Sequence, residues 1–508
     1  MISRRDFTRP SLLLALASLA IHLLVNGGYG FFRDELYFIV CGLNPAWGYV
    51  DQPPLVPLIA AASWKLFGHS LLGLRLMPML TMSATVALTA EFARLVGGGR
   101  FAQWLAGLCT LGASIFLVQG LLVTTDMFQA IAWLCLSWCI VRLAQDPEGA
   151  GNQRWWIAFG AVVGLSLLAK YLVAFYLVAL IPGLLLSPLR RSLLQPWLYA
   201  GAALAFAMVL PNILWQQALG WPFLELGANG SAYKNLPLSP LAFFGQVALL
   251  IGPLALPVWL AGMWAASVRP AHAAYRAFPI AWVILFAVFV ASHGKAYYLA
   301  PIYPTLLAFG AVAIEGWMKN AVARGAVLAT IALASAVVAP ITLPILPPEH
   351  YAAYARALGA SPDATSSEKL KLTTLPQHLA DMFGWREMAA KVEAVYRALP
   401  PQDQARAVVF GQNYGEAAAV DLFAHGLPPA ISAHNNYYIW GPRGHDGSVI
   451  IVIGGNRKEM EGQFDSVTPV AVTDAPYAMP YENHLPIYVL RGAHKPLAQM
   501  WPALKHFE

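Results

Sequence analysis

The first 345 residues contain ten acidic side chains, and four of these stand in short polar or aromatic segments between apolar runs. They are Asp34, Glu35, Asp51 and Asp126. A carboxylate at an apolar edge is costly to desolvate, and desolvation raises a carboxyl pKa toward the working range of a general base. These residues are therefore candidates for acid–base chemistry.

Each of these carboxylates also has a structural interpretation that the sequence leaves open. Asp34 and Glu35 are adjacent, so on a helix they point in different directions and rarely share one role. The preceding Arg33 could neutralise one of them in an interfacial salt bridge. Asp51 stands just before Gln52 and two prolines, where it could cap a rigid turn. Asp126 precedes an apolar run and could be a helix N-cap.

A cationic segment complements the carboxylates. Lys295 is followed closely by Tyr297 and Tyr298. An ammonium group is a natural partner for a phosphate at the depth of lipid headgroups, and tyrosine hydroxyls add hydrogen-bond donors. The alternative is a snorkelling lysine within an interfacial aromatic belt.

The composition indicates a membrane protein with a soluble extension. Of the 508 residues, 58% are hydrophobic and only 11% are charged, and the mean hydropathy is +0.56. Soluble domains carry about 25% charged residues, so a single water-soluble globule is excluded. Residues 1–345 have a net charge of +9 and residues 346–508 one of −3. We therefore predict a membrane domain over 1–345 and an α/β domain over 346–508, and no nucleic-acid partner.

The apolar runs predict about 11 transmembrane helices, because each span needs about 20 apolar residues. Lys and Arg are enriched in cytoplasmic loops, which fixes the predicted orientation. With the N-terminus inside, the inner side receives Arg4, Arg5, Arg9, Arg94, Arg100, Arg142, Arg154, Arg190, Arg191, Arg269, Arg276, Lys319 and Arg324. The outer side receives Arg33, Lys65, Arg75, Lys170, Lys234 and Lys295. The first outer loop then covers about residues 30–70, and the C-terminal domain lies outside the membrane.

The C-terminal domain has the pattern of an α/β fold. The apolar runs 407–411 and 449–454 end at Gly and are typical of buried strands, and 486–490 could be a third. Residues 381–399 and 416–423 have helical character. Tyr437 and Trp440, beside Asn435 and Asn436, could stack on and hydrogen-bond a sugar. They could equally belong to a loop that packs against the rest of the protein.

Together, these outer segments suggest a cavity with carboxylates for an acceptor hydroxyl and a cation for a phosphate. On the same residues, the sequence resembles glycosyltransferase family 39, the protein O-mannosyltransferase-like enzymes of the GT-C membrane fold. The matching positions are the 33–35 acidic pair, the 51–55 Pro-Pro-Leu segment, Thr125-Asp126 and the 295–304 segment. Bacterial members related to lipid A aminoarabinose transferases share this order and often end in an outer α/β domain, which residues 413–416 and 434–440 resemble.

The resemblance implies an inverting transfer of a monosaccharide from a polyprenyl-phosphate donor to an acceptor hydroxyl at the outer face of a bacterial inner membrane. Asp34 would be the general base and Glu35 would support it. Asp51, Gln52 and Asp126 would contact sugar or acceptor. Lys295, with Tyr297 or Tyr298, would stabilise the leaving phosphate. The acceptor could be a lipid, a glycan or a protein.

The sequence departs from the family at two positions. Mannosyltransferases tend to have His before the proline pair, where this chain has Gln52, and Gly-Lys after Pro-Pro-Leu, where it has Val56-Pro57. These differences argue against protein mannosylation in particular. No cofactor is predicted with certainty. The outer carboxylates could hold a divalent metal, although none shows a dedicated ligand spacing.

Three other functions remain open at this point. An oligosaccharide ligase or polymerase of similar architecture would use a lipid-diphosphate donor. A lipid or solute transporter would show ionisable groups near the bilayer midplane, whereas these carboxylates gather on one predicted face. A membrane-anchored binding protein would need far fewer spans.

Overall fold

A computed structural model describes residues 7–146, 152–268 and 274–508. Arg4, Arg5 and Arg269, which enter the predicted orientation, lie outside these ranges. The chain forms two compact units. The helical unit comprises the described residues up to Gly28, Leu72–Trp215 and Asn235–Pro347. The α/β unit comprises Tyr29–Leu71, Gln216–Lys234 and Pro348–Glu508.

Long apolar helices make up the helical unit. Two of them have one end in the α/β unit: Leu71–Leu95 begins one residue before the unit boundary, and Pro196–Ala218 ends beyond it. The helices are Arg9–Val25, Leu71–Leu95, Arg100–Gly112, Ser114–Leu121, Gln129–Gln145, Trp155–Ala169, Val173–Leu185, Pro196–Ala218, Pro240–Ile251, Leu256–Val268, Ala277–Ala291, Tyr303–Trp317 and Ala321–Thr342.

Within the described ranges, five helices are long and apolar enough to cross a bilayer, and up to eight if each bent pair forms one span. The three bent pairs turn by 66°, 117° and 97°. Helices Arg9–Val25, Leu55–Leu66 and Gln129–Gln145 are apolar but shorter. The prediction of a polytopic helical protein is therefore confirmed, while the figure of about 11 spans stays a prediction.

Small residues and a few hydroxyls hold the helical unit together. Helix Leu256–Val268 approaches Tyr303–Trp317 so closely that a Cβ on Gly310 would lie 1.7 Å from the Val258 carbonyl oxygen. The Thr305 hydroxyl donates to Ser137 Oγ at 2.9 Å. Membrane helices pack in this way because lipid supplies no hydrophobic drive between them.

A four-stranded sheet lies in the α/β unit. Its strands are β1 (Ala407–Gly411), β2 (Val449–Ile453), β3 (Phe464–Val472) and β4 (Pro486–Ala493), in the order β1-β2-β4-β3. β1 pairs with β2 in parallel, and β4 is antiparallel to both β2 and β3. The helices of the unit are Arg33–Leu43, Leu55–Leu66, Pro222–Asn229, Pro348–Ala357, Gln377–Ala380, Trp385–Ala398, Pro401–Gln404, Tyr414–Phe423, Asn436–Trp440, Arg457–Glu461 and Leu497–Leu504.

The sequence predicts three of the four strands. β1, β2 and β4 match the predicted runs, because buried strands are continuous apolar segments. β3 is not anticipated, since it is an edge strand with mostly exposed residues and a bulge between Pro469 and Ala471. The expected helices are confirmed as Trp385–Ala398 and Tyr414–Phe423.

Candidate active site

Asp34 lies in the first turn of helix Arg33–Leu43, and its carboxylate is held through one oxygen. The Tyr414 hydroxyl donates to Asp34 Oδ1 at 2.8 Å. Arg33 Nε lies 3.6 Å from the same oxygen. The described residues form no hydrogen bond to Oδ2, and the side chain is 29% exposed. The geometry leaves Oδ2 available to accept a proton.

Glu35 is completely buried and stabilises the start of the same helix. Its Oε2 accepts a hydrogen bond from the Phe32 backbone N–H at 2.9 Å. A side chain that satisfies a free N–H at a helix start in this way fixes the direction of the first turn. Glu35 therefore orients the backbone that carries Asp34.

Asp51 has a hydroxyl partner of its own. The Tyr37 hydroxyl donates to Asp51 Oδ1 at 2.8 Å and accepts from the Asn436 backbone N–H at 3.1 Å. Burial raises the pKa of Asp51 to about 7, although the hydrogen bond from Tyr37 opposes that shift. The neighbouring Gln52 side chain is fully buried.

The guanidinium group of Arg33, beside Asp34, also contacts buried groups of the C-terminal segment. Its Nη1 donates to the Tyr481 hydroxyl at 2.9 Å, and its Nη2 lies 4.0 Å from Asp381 Oδ2. Burial raises the pKa of Asp381 to about 6 and that of Glu482 to about 8, against the lowering effect of Arg33 on both. Buried carboxyls with one shared cation favour their neutral form at mildly acidic pH.

The two predicted sugar-stacking aromatics differ in exposure. Tyr437 is fully buried, and its hydroxyl donates to Asp421 at 2.7 Å. Trp440 is partly exposed and packs edge-on against Tyr437, with their ring centroids 4.7 Å apart. Tyr437 is thus enclosed, whereas Trp440 is partly exposed and has the Arg443 guanidinium carbon 5.3 Å from its ring centroid.

The remaining predicted site residues lie in the helical unit. Both oxygens of Asp126 accept from Lys170 Nζ, at 2.8 and 2.7 Å. Lys170 Nζ also lies 4.9 Å from the Tyr298 ring centroid and 5.7 Å from that of Tyr297. Lys295 Nζ lies 5.8 Å from the Tyr297 centroid. Two ammonium groups thus flank one tyrosine pair, an arrangement suited to an anion.

The structure therefore divides the predicted site residues between the units. Asp34, Glu35, Asp51, Gln52, Tyr437 and Trp440 belong to the α/β unit, and Asp126, Lys295, Tyr297 and Tyr298 belong to the helical unit. Among the described residues, no group of three or more His, Cys, Asp or Glu side chains could hold a metal ion.

Two residues that contact the predicted site residues, Lys170 and Tyr414, are not predicted as site residues from the sequence. The sequence marks Lys170 as a charge that interrupts apolar runs, which in a membrane domain is itself a functional signal. Tyr414 follows the Gly-terminated strand β1 at a helix start, a place where α/β folds often carry ligand contacts. Nothing in the spacing connects Tyr414 with Asp34, which lies 380 residues earlier.

Comparisons with known proteins agree with the resemblance. A family model described as dolichyl-phosphate-mannose-protein mannosyltransferase matches residues 51–215. The polyprenol-phosphate-mannose–protein mannosyltransferase of Corynebacterium glutamicum is 25% identical over 153 residues, which cover 26% of this chain and 29% of that protein. The lipid A galacturonosyltransferase RgtD of Rhizobium johnstonii is 25% identical over 244 residues, or 46% of this chain and 49% of that protein. The chain thus spans half or less of the length of these relatives.

The fold is similar to that of ArnT. The crystal structure of ArnT from Cupriavidus metallidurans in the apo state matches with a TM-score of 0.64 at 15% identity, covering 94% of this chain and 97% of that one. The same protein bound to undecaprenyl phosphate matches with a TM-score of 0.63 at 14% identity. Sequence and fold together confirm the resemblance to membrane glycosyltransferases of the GT-C type.

Proposed function

We propose that this protein is a membrane glycosyltransferase that moves a monosaccharide from a polyprenyl-phosphate donor to an acceptor hydroxyl at the outer face of the membrane. The acceptor oxygen attacks the anomeric carbon, the bond from that carbon to the phosphate oxygen breaks, and polyprenyl phosphate leaves with the electron pair. The acceptor proton passes to Asp34. The configuration at the anomeric carbon is inverted.

The observation that carries this proposal is the state of the Asp34 carboxylate. One oxygen is fixed by Tyr414 and faces Arg33, and the other forms no hydrogen bond within the described chain. A general base must be held in place and still have a free lone pair for the proton. Asp34 meets both conditions, whereas Asp126 uses both oxygens on Lys170.

The cations beside Tyr297 and Tyr298 support a lipid-phosphate donor. Lys295 and Lys170 both lie within 6 Å of the Tyr297 ring. Asp126 fixes the Lys170 ammonium, and Lys295 together with the tyrosine hydroxyls would stabilise the charge that develops on the leaving phosphate. The likeness to ArnT, one of whose structures contains undecaprenyl phosphate, supports the same donor class.

The other roles follow from burial. Glu35 positions the helix that carries Asp34, and the buried Gln52 contacts the sugar or the acceptor beside Asp51. Asp51 binds a hydroxyl of the sugar or the acceptor. Trp440 contacts the sugar through the exposed part of its ring, and Tyr437 packs edge-on against it. In this proposal the protein spans the inner membrane with its N-terminus in the cytoplasm, and residues 346–508 form an extracytoplasmic domain.

A donor panel tests the proposal. Purified protein is incubated with several polyprenyl-phosphate sugars and one polyprenyl-diphosphate oligosaccharide, with membrane extract as the acceptor source, and released polyprenyl lipid is measured. We expect one monophosphate donor to turn over. Asp34→Asn should lower that turnover by about 10²–10⁴-fold, the usual contribution of a general base.

The matched control is Asp465→Asn, which makes the same chemical change at an exposed position of the same unit. It should retain wild-type turnover. Turnover of the diphosphate donor alone would replace the transferase by an oligosaccharide ligase. Full activity of Asp34→Asn would remove Asp34 as the base.

A further inference from the structure

Tyr414 belongs to the C-terminal segment 348–508, and its hydroxyl donates to the Asp34 carboxylate at 2.8 Å. We infer that Tyr414 is a positioning residue of the transfer reaction: it fixes the Asp34 carboxylate so that Oδ2 faces the acceptor. This inference rests on the proposed function. It assigns to the C-terminal segment a part in catalysis itself, beyond recognition of the acceptor or cover for the site.

The tyrosine ring is held from several sides. It stacks on the Tyr37 ring with centroids 4.5 Å apart and planes inclined by 29°. The His434 ring centroid lies 4.7 Å away, and the Arg33 guanidinium carbon lies 5.3 Å from the Tyr414 centroid. A ring held in this way has little rotational freedom, so the direction of its hydroxyl is set before substrate binds.

The backbone beneath Tyr414 is fixed as well. Asn413 caps helix Tyr414–Phe423, and its Oδ1 accepts the N–H groups of Gly415 at 2.8 Å and Glu416 at 3.1 Å. A Cβ on Gly415 would lie 2.5 Å from Arg33 Cγ, so the absence of a side chain there lets this helix start lie against Arg33. Strand β1, the cap and the tyrosine thus form one rigid support.

The hydroxyl stays a donor under working conditions. Burial and the nearby Asp34 carboxylate raise the pKa of Tyr414 well above its usual range, against the opposing effect of Arg33. A neutral hydroxyl can fix a carboxylate oxygen without adding a second positive charge beside it, whereas an ammonium group would add one. The contact from Tyr414 therefore holds Asp34 Oδ1 in place without forming an ion pair.

Tyr37 contacts Asp51 in the same way as Tyr414 contacts Asp34. Tyr37 donates to Asp51, and it is the ring on which Tyr414 stacks. Movement of either ring would disturb the other hydroxyl. For this reason the test removes only the Tyr414 hydroxyl and leaves the ring in place.

The experiment is a double-mutant cycle in the full-length protein. Tyr414→Phe is measured alone and in the background of Asp34→Glu, which keeps a carboxylate but displaces it from the hydroxyl. We expect Tyr414→Phe alone to lower kcat about tenfold, because misplacement of a reacting group by a fraction of an ångström has such effects. The KM values for donor and acceptor should stay within about twofold. In the Asp34→Glu background it should change kcat by less than about twofold.

A control variant and a stability measurement separate positioning from folding. Tyr396→Phe removes a hydroxyl that donates to the Gln404 carbonyl in the same unit, and it should leave kcat unchanged. Tyr414→Phe should melt within a few degrees of the wild type. Wild-type kcat in Tyr414→Phe, or an equal loss in both backgrounds, would overturn the inference while the proposed function stands. Absence of turnover with every donor would overturn both.

Discussion

The two units hold their carboxylates in different ways. In the helical unit, Asp126 uses both oxygens on the Lys170 ammonium, at 2.8 and 2.7 Å. In the α/β unit, Asp34 has its nearest cation, Arg33, at 3.6 Å and is fixed by a neutral hydroxyl. A direct ion pair satisfies a buried charge but occupies its lone pairs, whereas a tyrosine leaves both charge and one oxygen available. The difference supports the proposal that Asp34 is the base and that Asp126 orients Lys170.

Two glycines, one in each unit, differ in what surrounds them. A Cβ on Gly310 in the helical unit would meet a backbone carbonyl, while a Cβ on Gly415 in the α/β unit would meet the flexible Arg33 side chain. Gly310 is therefore less tolerant of added volume than Gly415. At Gly415 the Arg33 side chain can move aside, but at the expense of the groups around Asp34.

The largest expected effect is a loss of stability when the close contact between helices Leu256–Val268 and Tyr303–Trp317 is disrupted. Gly310→Ala should lower the free energy of unfolding by about 3 kcal/mol or more, because two backbones must separate. Gly415→Ala should cost less stability but lower kcat, since it moves Arg33. Gly325→Ala is the control, because nothing lies within 4 Å of its added Cβ. Denaturant unfolding in detergent measures all three, and equal losses for Gly310→Ala and Gly325→Ala would contradict the packing described.

The next largest effect is expected when the ion pair between Asp126 and Lys170 is removed. Asp126→Asn should destabilise the protein by about 2 kcal/mol, because it leaves the Lys170 charge largely enclosed without its partner. Glu461→Gln removes the partner of Arg457 in an exposed pair and should change stability by less than about 0.5 kcal/mol. The same unfolding measurement compares the two variants. A loss as small for Asp126→Asn as for Glu461→Gln would show that the pair is solvated.

A smaller effect tests whether Lys295 binds the donor phosphate while Asp34 takes up the acceptor proton. Lys295→Gln should raise the KM for the polyprenyl-phosphate donor about tenfold, since one charge-assisted contact to phosphate is lost. The control is Lys319→Gln, an exposed lysine of the same unit. Steady-state kinetics over a range of donor concentrations gives both values. An unchanged donor KM in Lys295→Gln would place the phosphate elsewhere.

A further expected effect concerns pH and the buried carboxyls of the α/β unit. Burial raises the pKa of Asp381 to about 6, of Asp51 to about 7 and of Glu482 to about 8. At these three carboxyls the folded protein binds protons that the unfolded chain releases, so their contribution to stability should fall as the pH rises from about 5 to 8.

The melting temperature should accordingly be a few degrees higher at pH 5.5 than at pH 8. Glu482→Gln should reduce this difference in melting temperature, because the glutamine side chain is neutral at both pH values. Asp465→Asn should leave the difference unchanged. Thermal unfolding of the full-length protein at the two pH values gives the comparison. A melting temperature that rises with pH would contradict the burial of these carboxyls.

Local patterns in the sequence were sufficient for the fold class and for three strands. β1, β2 and β4 are continuous apolar runs, which is the pattern of a buried strand. β3 has no such pattern, because it is an exposed edge strand that includes Pro469. Its pairing with β4 depends on tertiary structure that the segment itself does not encode.

The candidate site was predictable only in its acidic and cationic residues. Asp34 and Lys295 are visible because charged residues are rare among apolar runs. The partners of the two carboxylates Asp34 and Asp126 cannot be recognised in the sequence. Tyr414 is 380 residues from Asp34, and Lys170 is 44 residues from Asp126. A hydrogen bond over such a separation is a product of the fold, and no spacing rule predicts it.

The measurement that tests the central claim most directly compares donor binding with turnover in two variants. The dissociation constant for polyprenyl phosphate and the kcat for transfer are determined for the wild type, Asp34→Asn and Lys295→Gln. If Asp34 is the base and Lys295 binds the phosphate, Asp34→Asn keeps the wild-type dissociation constant within about twofold while kcat falls about 10²–10⁴-fold. Lys295→Gln then binds polyprenyl phosphate about tenfold more weakly. A loss of binding in Asp34→Asn as large as its loss of turnover would contradict this division between the two units.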